Sequence, residues 1–215
     1  MITSSTERLA SYPVETTAHN GDLPESVLPA QRRAQQTCTP ESFAFARGRK
    51  SLDRSVWYSG WLLTFLATAE ETRGQCALIE ATTRKGNVPP RHIHRREEET
   101  FYVLEGEMNV TVGDRTFEAT PGTLVCLPRD VAHSFAIESE QLRALILLTP
   151  AGLEGFFKEF SVPAPAMTLP PPDELAYSEV QRMLEAAPRY GLEFVLPRRL
   201  KSAQPFMSSD LIESL

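Results

Sequence analysis

The chain of 215 residues lacks the features that mark membrane-spanning, secreted and disulfide-stapled proteins. It has only 3 cysteines, widely spaced and without a Cys-x-x-Cys pair, so the sequence offers no disulfide framework and suits a reducing compartment. No apolar run approaches the ~20 residues that a helix needs to cross a bilayer. The first residues contain no apolar core of the kind found in signal peptides. We therefore expect a cytoplasmic protein with no membrane partner.

An excess of basic charge is also lacking. Lys and Arg total 22 against 28 Asp and Glu, which gives a formal net charge of −6. Proteins that bind nucleic acid need a basic surface to displace counterions from the phosphates, so the charge balance argues against such a partner. The hydrophobic share of 41% and charged share of 23% are typical of a soluble globular protein.

The pattern of the sequence divides the chain into three parts. Residues 1–42 are rich in Ser, Thr, Gln and Pro and show no sustained period, which predicts a loosely ordered arm. Residues 43–160 hold a predicted β-barrel domain and the start of a helical region. Residues 161–215 form a Pro-rich connector followed by a helical extension.

Short apolar runs fill the central part, and turn residues such as Gly, Asn, Asp and Pro separate them. This spacing is typical of an all-β sandwich or barrel. No helical period interrupts the block, so an alternating βαβ fold is excluded. The predicted strands are residues 56–67, 75–82, 99–104, 107–112, 115–119, 123–127, 134–138 and 142–149.

After residue 149 the period becomes helical. Leu153, Phe156, Phe157 and Phe160 follow the spacing of one helix face, which predicts a short helix. Beyond the prolines, residues 173–187 predict a second helix with Asp173 near its start, and residues 192–196 predict a last strand.

The chain contains 4 histidines, and three of them fall in patterns that favour metal binding. His92 and His94 are two apart, so on an extended chain both imidazoles point to one face. Glu99 shares a face with Phe101 and Val103, but its odd spacing from His94 requires a turn within residues 95–98. His133 opens another strand. If the sheet closes into a barrel, the inward faces converge, and three imidazoles and a carboxylate would bind one divalent cation with open coordination positions.

Other interpretations of these residues remain open from spacing alone. A His-x-His pair also occurs on surface loops without a metal, and Glu99 could form an ion pair with Arg95 or Arg96. Glu97 and Glu98 are interpreted as solvated acids.

Taken together, the two patterns resemble the cupin superfamily. The first cupin motif is matched in every position, and the second in three, with Asp130 where Gly is usual and Ile137 where Asn is usual. Asp tolerates a left-handed turn better than most residues, so the first departure is mild. The matching residues are Gly86, His92, His94, Glu99 and Gly106 in the first motif and Gly122, Pro128 and His133 in the second.

Within the cupins, the chain is most similar to single-domain proteins related to quercetin 2,3-dioxygenase. The segments that carry this likeness are Trp57-Tyr58, residues 63–72, residues 89–94, residues 101–107 and residues 148–152 with the phenylalanines that follow.

The resemblance implies a jelly-roll cupin barrel with an N-terminal arm and short C-terminal helices. It implies one divalent transition metal per chain (Fe, Mn, Ni, Co, Cu or Zn) held by His92, His94, Glu99 and His133. The implied reaction is cleavage of a flavonol-like or other enolisable aromatic ring by dioxygen, with Glu99 as proton acceptor, in a homodimer. A metal-binding or small-molecule-binding cupin without turnover and a cupin isomerase or epimerase are the alternatives. The residues expected to form the substrate pocket are Phe101, Val103, Phe135, Ile137, Trp57 and Tyr58.

Overall fold

The computed structural model describes residues 45–87, 89–172 and 175–195. The predicted arm of residues 1–42 lies outside the described residues, as do Asp173 at the expected start of the second helix and the chain after residue 195. None of the helices in the described part is long and apolar enough to cross a bilayer.

The described chain is built mainly of β-strands. Their bounds are β1 Ser55–Tyr58, β2 Trp61–Ala67, β3 Ala77–Arg84, β4 His92–His94, β5 Glu98–Glu105, β6 Met108–Val112, β7 Arg115–Ala119, β8 Leu124–Leu127, β9 His133–Ile137, β10 Gln141–Thr149, β11 Val162–Pro163 and β12 Leu192–Phe194. The α-helices are α1 Ala69–Thr72, α2 Glu154–Glu159 and α3 Tyr177–Ala186, and two 3₁₀ turns occupy Leu52–Arg54 and Ala187–Tyr190.

Two antiparallel sheets contain all of these strands. One sheet of seven has the order β11-β1-β2-β3-β10-β5-β8, and one of five has the order β12-β4-β9-β6-β7. Along β3 and β10 buried and half-buried residues alternate, as period two requires of strands with one face on the core. The predicted all-β jelly-roll fold is confirmed.

The inward faces of the two sheets meet in one hydrophobic core. Phe135 of β9 contacts side chains from the opposite sheet, with ring centroids 6.0 Å from Trp61 and 5.4 Å from Phe101. Edge-to-face aromatic pairs of this kind add stability beyond the area that they bury. They join the sheets next to the histidines of β4 and β9.

Several predicted elements differ in their bounds from those observed. The single run 56–67 is a hairpin, because Ser59 and Gly60 adopt positive φ of 44° and 80° and reverse the chain between β1 and β2. The last strand ends at Phe194. The helix predicted from the phenylalanine stripe is present as α2.

The end of the described chain returns to the barrel. β12 pairs antiparallel with β4, with Leu192 opposite His94 and Phe194 opposite His92. As a result the short histidine strand β4 lies between two neighbours, β12 and β9, and is not an edge strand.

Candidate functional site

The four predicted metal ligands lie together in the structure. Neighbouring strands of the five-stranded sheet position His92 and His133, which face each other directly in the register of β4 and β9. Directly opposed residues of an antiparallel pair have Cβ atoms ~5 Å apart on the same face of the sheet. Their Nε2 atoms are 3.1 Å apart.

Glu99 reaches the same point from the other sheet. Between β4 and β5, residues 95–97 form an irregular connection, which confirms the predicted turn and restores Glu99 to the inward face. Its Oε2 lies 3.5 Å from the Nε2 of His133. One ligand atom from each of His92, His94, Glu99 and His133 lies within 4.8 Å of the others.

Backbone carbonyl groups fix the orientation of two imidazoles. The Nδ1 of His92 is 2.8 Å from the carbonyl oxygen of Pro90, and the Nδ1 of His133 is 3.1 Å from that of Val131. A carbonyl oxygen only accepts hydrogen bonds, so each Nδ1 carries a proton, and in the neutral form of the ring the lone pair is then on Nε2. The two Nε2 atoms therefore face each other as potential metal ligands.

The second cupin turn holds the histidine strand from outside. Asp130 has a φ of 64°, in the left-handed region that its sequence position predicted. Its backbone N–H donates to the carbonyl oxygen of His94 at 2.8 Å, and its carboxylate accepts from Arg95 at 3.0 Å. The departure from Gly at this position is compatible with the motif's turn.

The electrostatics of the cluster favour the metal-binding protonation states. Burial, together with the neighbouring His133 and His94, lowers the pKa of His92 to about 4. Burial also lowers the pKa of His94. For Glu99 burial acts to raise the pKa, but the neighbouring His94 and His133 outweigh it and hold the pKa below its ordinary value. Neutral imidazoles beside an ionised carboxylate are the forms that bind a metal.

The donor set fits one transition-metal ion. Two nitrogen ligands at right angles on an ion with bonds of about 2.1 Å are separated by about 3 Å, which matches the spacing of the two Nε2 atoms. The Oε2 of Glu99 and the Nδ1 of His94 are buried without a hydrogen-bond partner among the described residues. A cation between the four side chains would compensate the facing lone pairs and the buried carboxylate.

The cluster opens into a cavity of about 720 Å³. This volume lies within the range of small-molecule sites in proteins. His92, His94 and Glu99 are on its wall, so a metal bound there would face the cavity. The aromatic side chains that line it include Tyr58, Trp61, Phe101, Phe135, Phe156 and Phe157.

The six predicted pocket residues divide into two groups. Tyr58, Phe101 and Phe135 line the cavity, and their contact with a substrate stays a prediction.

Among the described residues the lining does not include Val103, Ile137 or Trp57, and their contact with a substrate also stays a prediction. Val103 and Ile137 are on the inward face but pack in the core, with exposed fractions of 0% and 3%. The alternation of side chains along a strand identifies which residues point inward, but an inward residue can lie either in the core or on the cavity wall. Trp57 is beside Tyr58 in sequence and so points to the other face of β1, where its indole N–H donates to the carbonyl oxygen of Thr168 at 2.7 Å.

The interpretation of Glu97 and Glu98 as solvated acids is correct for Glu98 only. Glu98 is solvated as expected, with its side chain 55% exposed and 3.6 Å from Arg129. Glu97 is only 2% exposed, and its Oε2 has no hydrogen-bond partner in the described part of the chain. The sequence did contain a signal for this burial, because Glu97 has the same parity as the inward residues Glu99 and Phe101.

Sequence reasoning also missed the part of the cavity wall that follows the barrel. Val180, Met183 and Leu184 of α3 line the cavity, as do Leu192 and Phe194 of β12. The i, i+3, i+4 spacing of the three α3 residues is a signal for one apolar helix face, but it does not tell which surface that face meets.

Comparisons with known proteins identify the same fold family. Residues 79–149 match the family described as Cupin domain. The chain is 27% identical over 122 residues to quercetin 2,3-dioxygenase of Bacillus subtilis, which covers 56% of this chain and 36% of that protein, so the match spans little more than a third of the relative.

Two further proteins are similar. An uncharacterized protein of Streptomyces coelicolor is 33% identical over 91 residues, which cover 42% of this chain and 81% of that protein. The structure of an RmlC-like cupin from Shewanella frigidimarina aligns with 20% identity and a TM-score of 0.43, over 52% of this chain and 94% of the other. The matched Cupin domain includes the strands of all four clustered side chains, and by this match and the Streptomyces relative the chain belongs to the cupin superfamily.

Proposed function

We propose that the protein is a metal-dependent dioxygenase that cleaves the ring of a flavonol-like or other enolisable aromatic substrate with dioxygen. The observation that carries this proposal is the cluster itself. The Nε2 atoms of His92 and His133 lie 3.1 Å apart beside the buried carboxylate of Glu99. His94 completes the set, and the cluster lies on the wall of a cavity that is lined in part by aromatic side chains.

A bound divalent transition metal would supply open positions that take up a substrate hydroxyl and favour its deprotonated form. The remaining tasks belong to the protein. Three imidazoles and Glu99 hold the ion. The carboxylate of Glu99, on the cavity wall, is placed to accept the proton of a hydroxyl that approaches the cluster.

The apolar wall prepares the substrate for attack. Phe101 and Phe135 present ring faces and edges that suit a flat aromatic molecule, and they exclude water from the deprotonated substrate. Exclusion of water also protects the deprotonated substrate from reprotonation before dioxygen reacts with it. The relative from Bacillus subtilis, whose name specifies this reaction, supports the choice of substrate class.

The test is oxygen consumption with quercetin, after separate loading of the chelator-treated protein with each of Fe, Mn, Ni, Co, Cu and Zn. We expect oxygen uptake with at least one metal and a ring-opened product that contains both atoms of labelled dioxygen. Glu99→Gln should lower kcat/KM by about 100-fold or more, since it removes both a metal ligand and the proposed proton acceptor. Glu98→Gln is the matched control and should retain the activity, because Glu98 is exposed.

Two outcomes would contradict the proposal. If the loaded protein binds aromatic ligands but consumes no oxygen with any enolisable aromatic, it is a binding cupin. If substrate is converted without oxygen, the reaction is an isomerisation.

A further inference from the structure

The chain after the barrel provides one wall of the cavity. The family match ends at residue 149, whereas the cavity lining continues through residues 153–194. The last described segment, residues 175–195, contributes α3 and β12 to this wall. This wall therefore belongs to a part of the chain that the shared Cupin domain does not determine.

Helix α3 has one apolar and one polar face. Val180, Met183 and Leu184 lie on the face that borders the cavity. Arg182 and Glu185 are exposed on the other face. An amphipathic surface helix normally buries its apolar stripe against a core. Here part of that stripe borders the cavity, opposite the cluster of three histidines and Glu99. An apolar surface in this position suits an apolar ligand.

Several contacts hold this wall in place at its C-terminal end. β12 pairs with β4, and Glu193 of β12 accepts a hydrogen bond from Arg95 at 2.7 Å. Arg96 donates to the carbonyl oxygen of Arg189 at 2.9 Å. These bonds fix the segment to the same loop and strand that carry the histidines, so the distance from α3 to the cluster is set by the fold.

The connector before α3 and the middle of the helix make further contacts with the rest of the chain. Arg84 donates to the carbonyl oxygen of Pro170 at 2.6 Å, in the connector that precedes the helix. Within the helix, the guanidinium of Arg182 lies 5.7 Å from the ring centroid of Phe160. These contacts, with those at the C-terminal end, restrict how far the apolar face of α3 can move from the cavity.

We infer that α3 determines ligand size: Val180, Met183 and Leu184 set how large an apolar aromatic molecule reaches the metal cluster. This inference rests on the proposed function for the identity of the substrate class. The binding step itself needs no turnover. Larger side chains at these positions shorten the cavity, and smaller ones extend it.

The test uses two neutral aromatic probes of different size, the fluorophore N-phenyl-1-naphthylamine and the smaller 1-naphthol. The variants are Met183→Trp and Val180→Phe, which fill the cavity, and Met183→Ala, which enlarges it. Glu185→Trp is the matched control, since it places the same indole on the exposed face of the same helix. Metal content and circular dichroism are measured for every variant.

We expect Met183→Trp and Val180→Phe to weaken binding of N-phenyl-1-naphthylamine by about 10-fold or more, while 1-naphthol changes by less than about 3-fold; the former corresponds to more than ~1.4 kcal/mol. Met183→Ala and Glu185→Trp should retain the larger probe. A variant that merely disturbs the fold would weaken both probes equally, so the size dependence separates the two causes.

The inference is overturned if the unsubstituted protein binds neither probe, if both filling variants bind the larger probe normally, or if the control loses it equally. Should Met183→Trp fail to fold, Val180→Phe decides alone. An absence of oxygen uptake would refute the dioxygenase proposal and leave this result unaffected.

Discussion

Neighbouring glutamates of this chain have opposite chemical environments. Glu99 is buried among imidazoles and stays ionised, whereas Glu97 is buried without such partners. Burial raises the pKa of Glu97 to about 7, and the positive charge of Arg96 offsets only part of this rise. The carboxylates of Glu154 and Glu99 add to it. Glu97 is therefore a group whose neutral form is favoured by folding.

A pH-dependent loss of stability follows for Glu97. In the unfolded chain the carboxyl ionises near its ordinary pKa of 4.5, and in the folded protein it ionises at about 7. The contribution of Glu97 to the unfolding free energy is thus fully present below pH 4.5, and it is lost as the pH rises through 7. The unfolding free energy of Glu97→Gln minus that of the wild type should therefore increase by roughly 1–3 kcal/mol as the pH rises from 5 to 8. Urea unfolding of chelator-treated protein at several pH values measures the difference.

Glu98→Gln provides the baseline for that experiment, since its side chain is 55% exposed and the substitution should give a difference that hardly changes with pH. A Glu97→Gln difference that is equally flat would show that Glu97 ionises normally in the folded state.

At the level of single residues, the sequence predicted what depended on local geometry. The left-handed Asp130 and the inward face of Glu99 follow from turn chemistry and from period two. The burial of Glu97 did not follow, because it depends on how residues 95–97 pass beneath the loop around Gly152, a contact distant in sequence. The charge of a side chain in a turn is therefore not enough to predict that the side chain is exposed to solvent.

Among the elements, β12 has the most direct effect on the metal cluster. Its backbone pairs with β4, and the ring centroid of Phe194 lies 6.1 Å from that of His92. His92 is thus held by the carbonyl oxygen of Pro90 on one side and by an aromatic ring on another. Outer contacts of this kind orient a metal ligand and raise the affinity of its site.

We expect Phe194→Ala to weaken cobalt binding by about 10-fold, because substitutions in the outer contacts of a metal site cost 10–100-fold. The ring of His92 would gain freedom while the ligand set stays complete. Titration of chelator-treated protein with Co²⁺, followed by the visible absorption of the bound ion, measures the affinity and reports the ligand geometry.

Phe194→Leu should restore most of the affinity, since it keeps an apolar side chain against the imidazole. Val195→Ala is the adjacent control: the exposed Val195 side chain is removed while its backbone N–H still bonds to Arg91 at 2.8 Å. Equal affinity for Phe194→Ala and the wild type would exclude a positioning role.

The strands of the barrel were predictable because they are long enough to show alternation; β7 has the predicted bounds and β6 begins one residue late. β4 has only 3 residues, too few for a period, and was not predicted as a strand, whereas β12 was. That β12 lies beside β4 could not be predicted either, since pairing of strands about a hundred residues apart depends on the path of the whole chain.

On the scale of the molecule, the cluster of three histidines and Glu99 joins the two sheets. His92, His94 and His133 belong to the five-stranded sheet, and Glu99 belongs to the seven-stranded sheet. A bound ion would connect two layers that otherwise meet through apolar contacts. Since the site forms only when both sheets are in place, metal binding should stabilise the folded chain against global unfolding.

Adding Co²⁺ to chelator-treated protein at 100 times its Kd should raise the unfolding free energy by about 2.7 kcal/mol. For a chain of this length that corresponds to a Tm increase of about 5–10 °C. Mg²⁺, which prefers oxygen ligands, should give no increase.

His133→Ala removes one ligand and should lose both the increase and most of the bound metal, as elemental analysis would show. If instead Co²⁺ raised the Tm of His133→Ala as much as that of the wild type, the ion would bind elsewhere on the chain. A metal site that takes ligands from both sheets cannot lose the ligand His133 and still stabilise the fold as much as before. The cluster between the sheets would then be a group of hydrogen-bonded core residues that binds no metal.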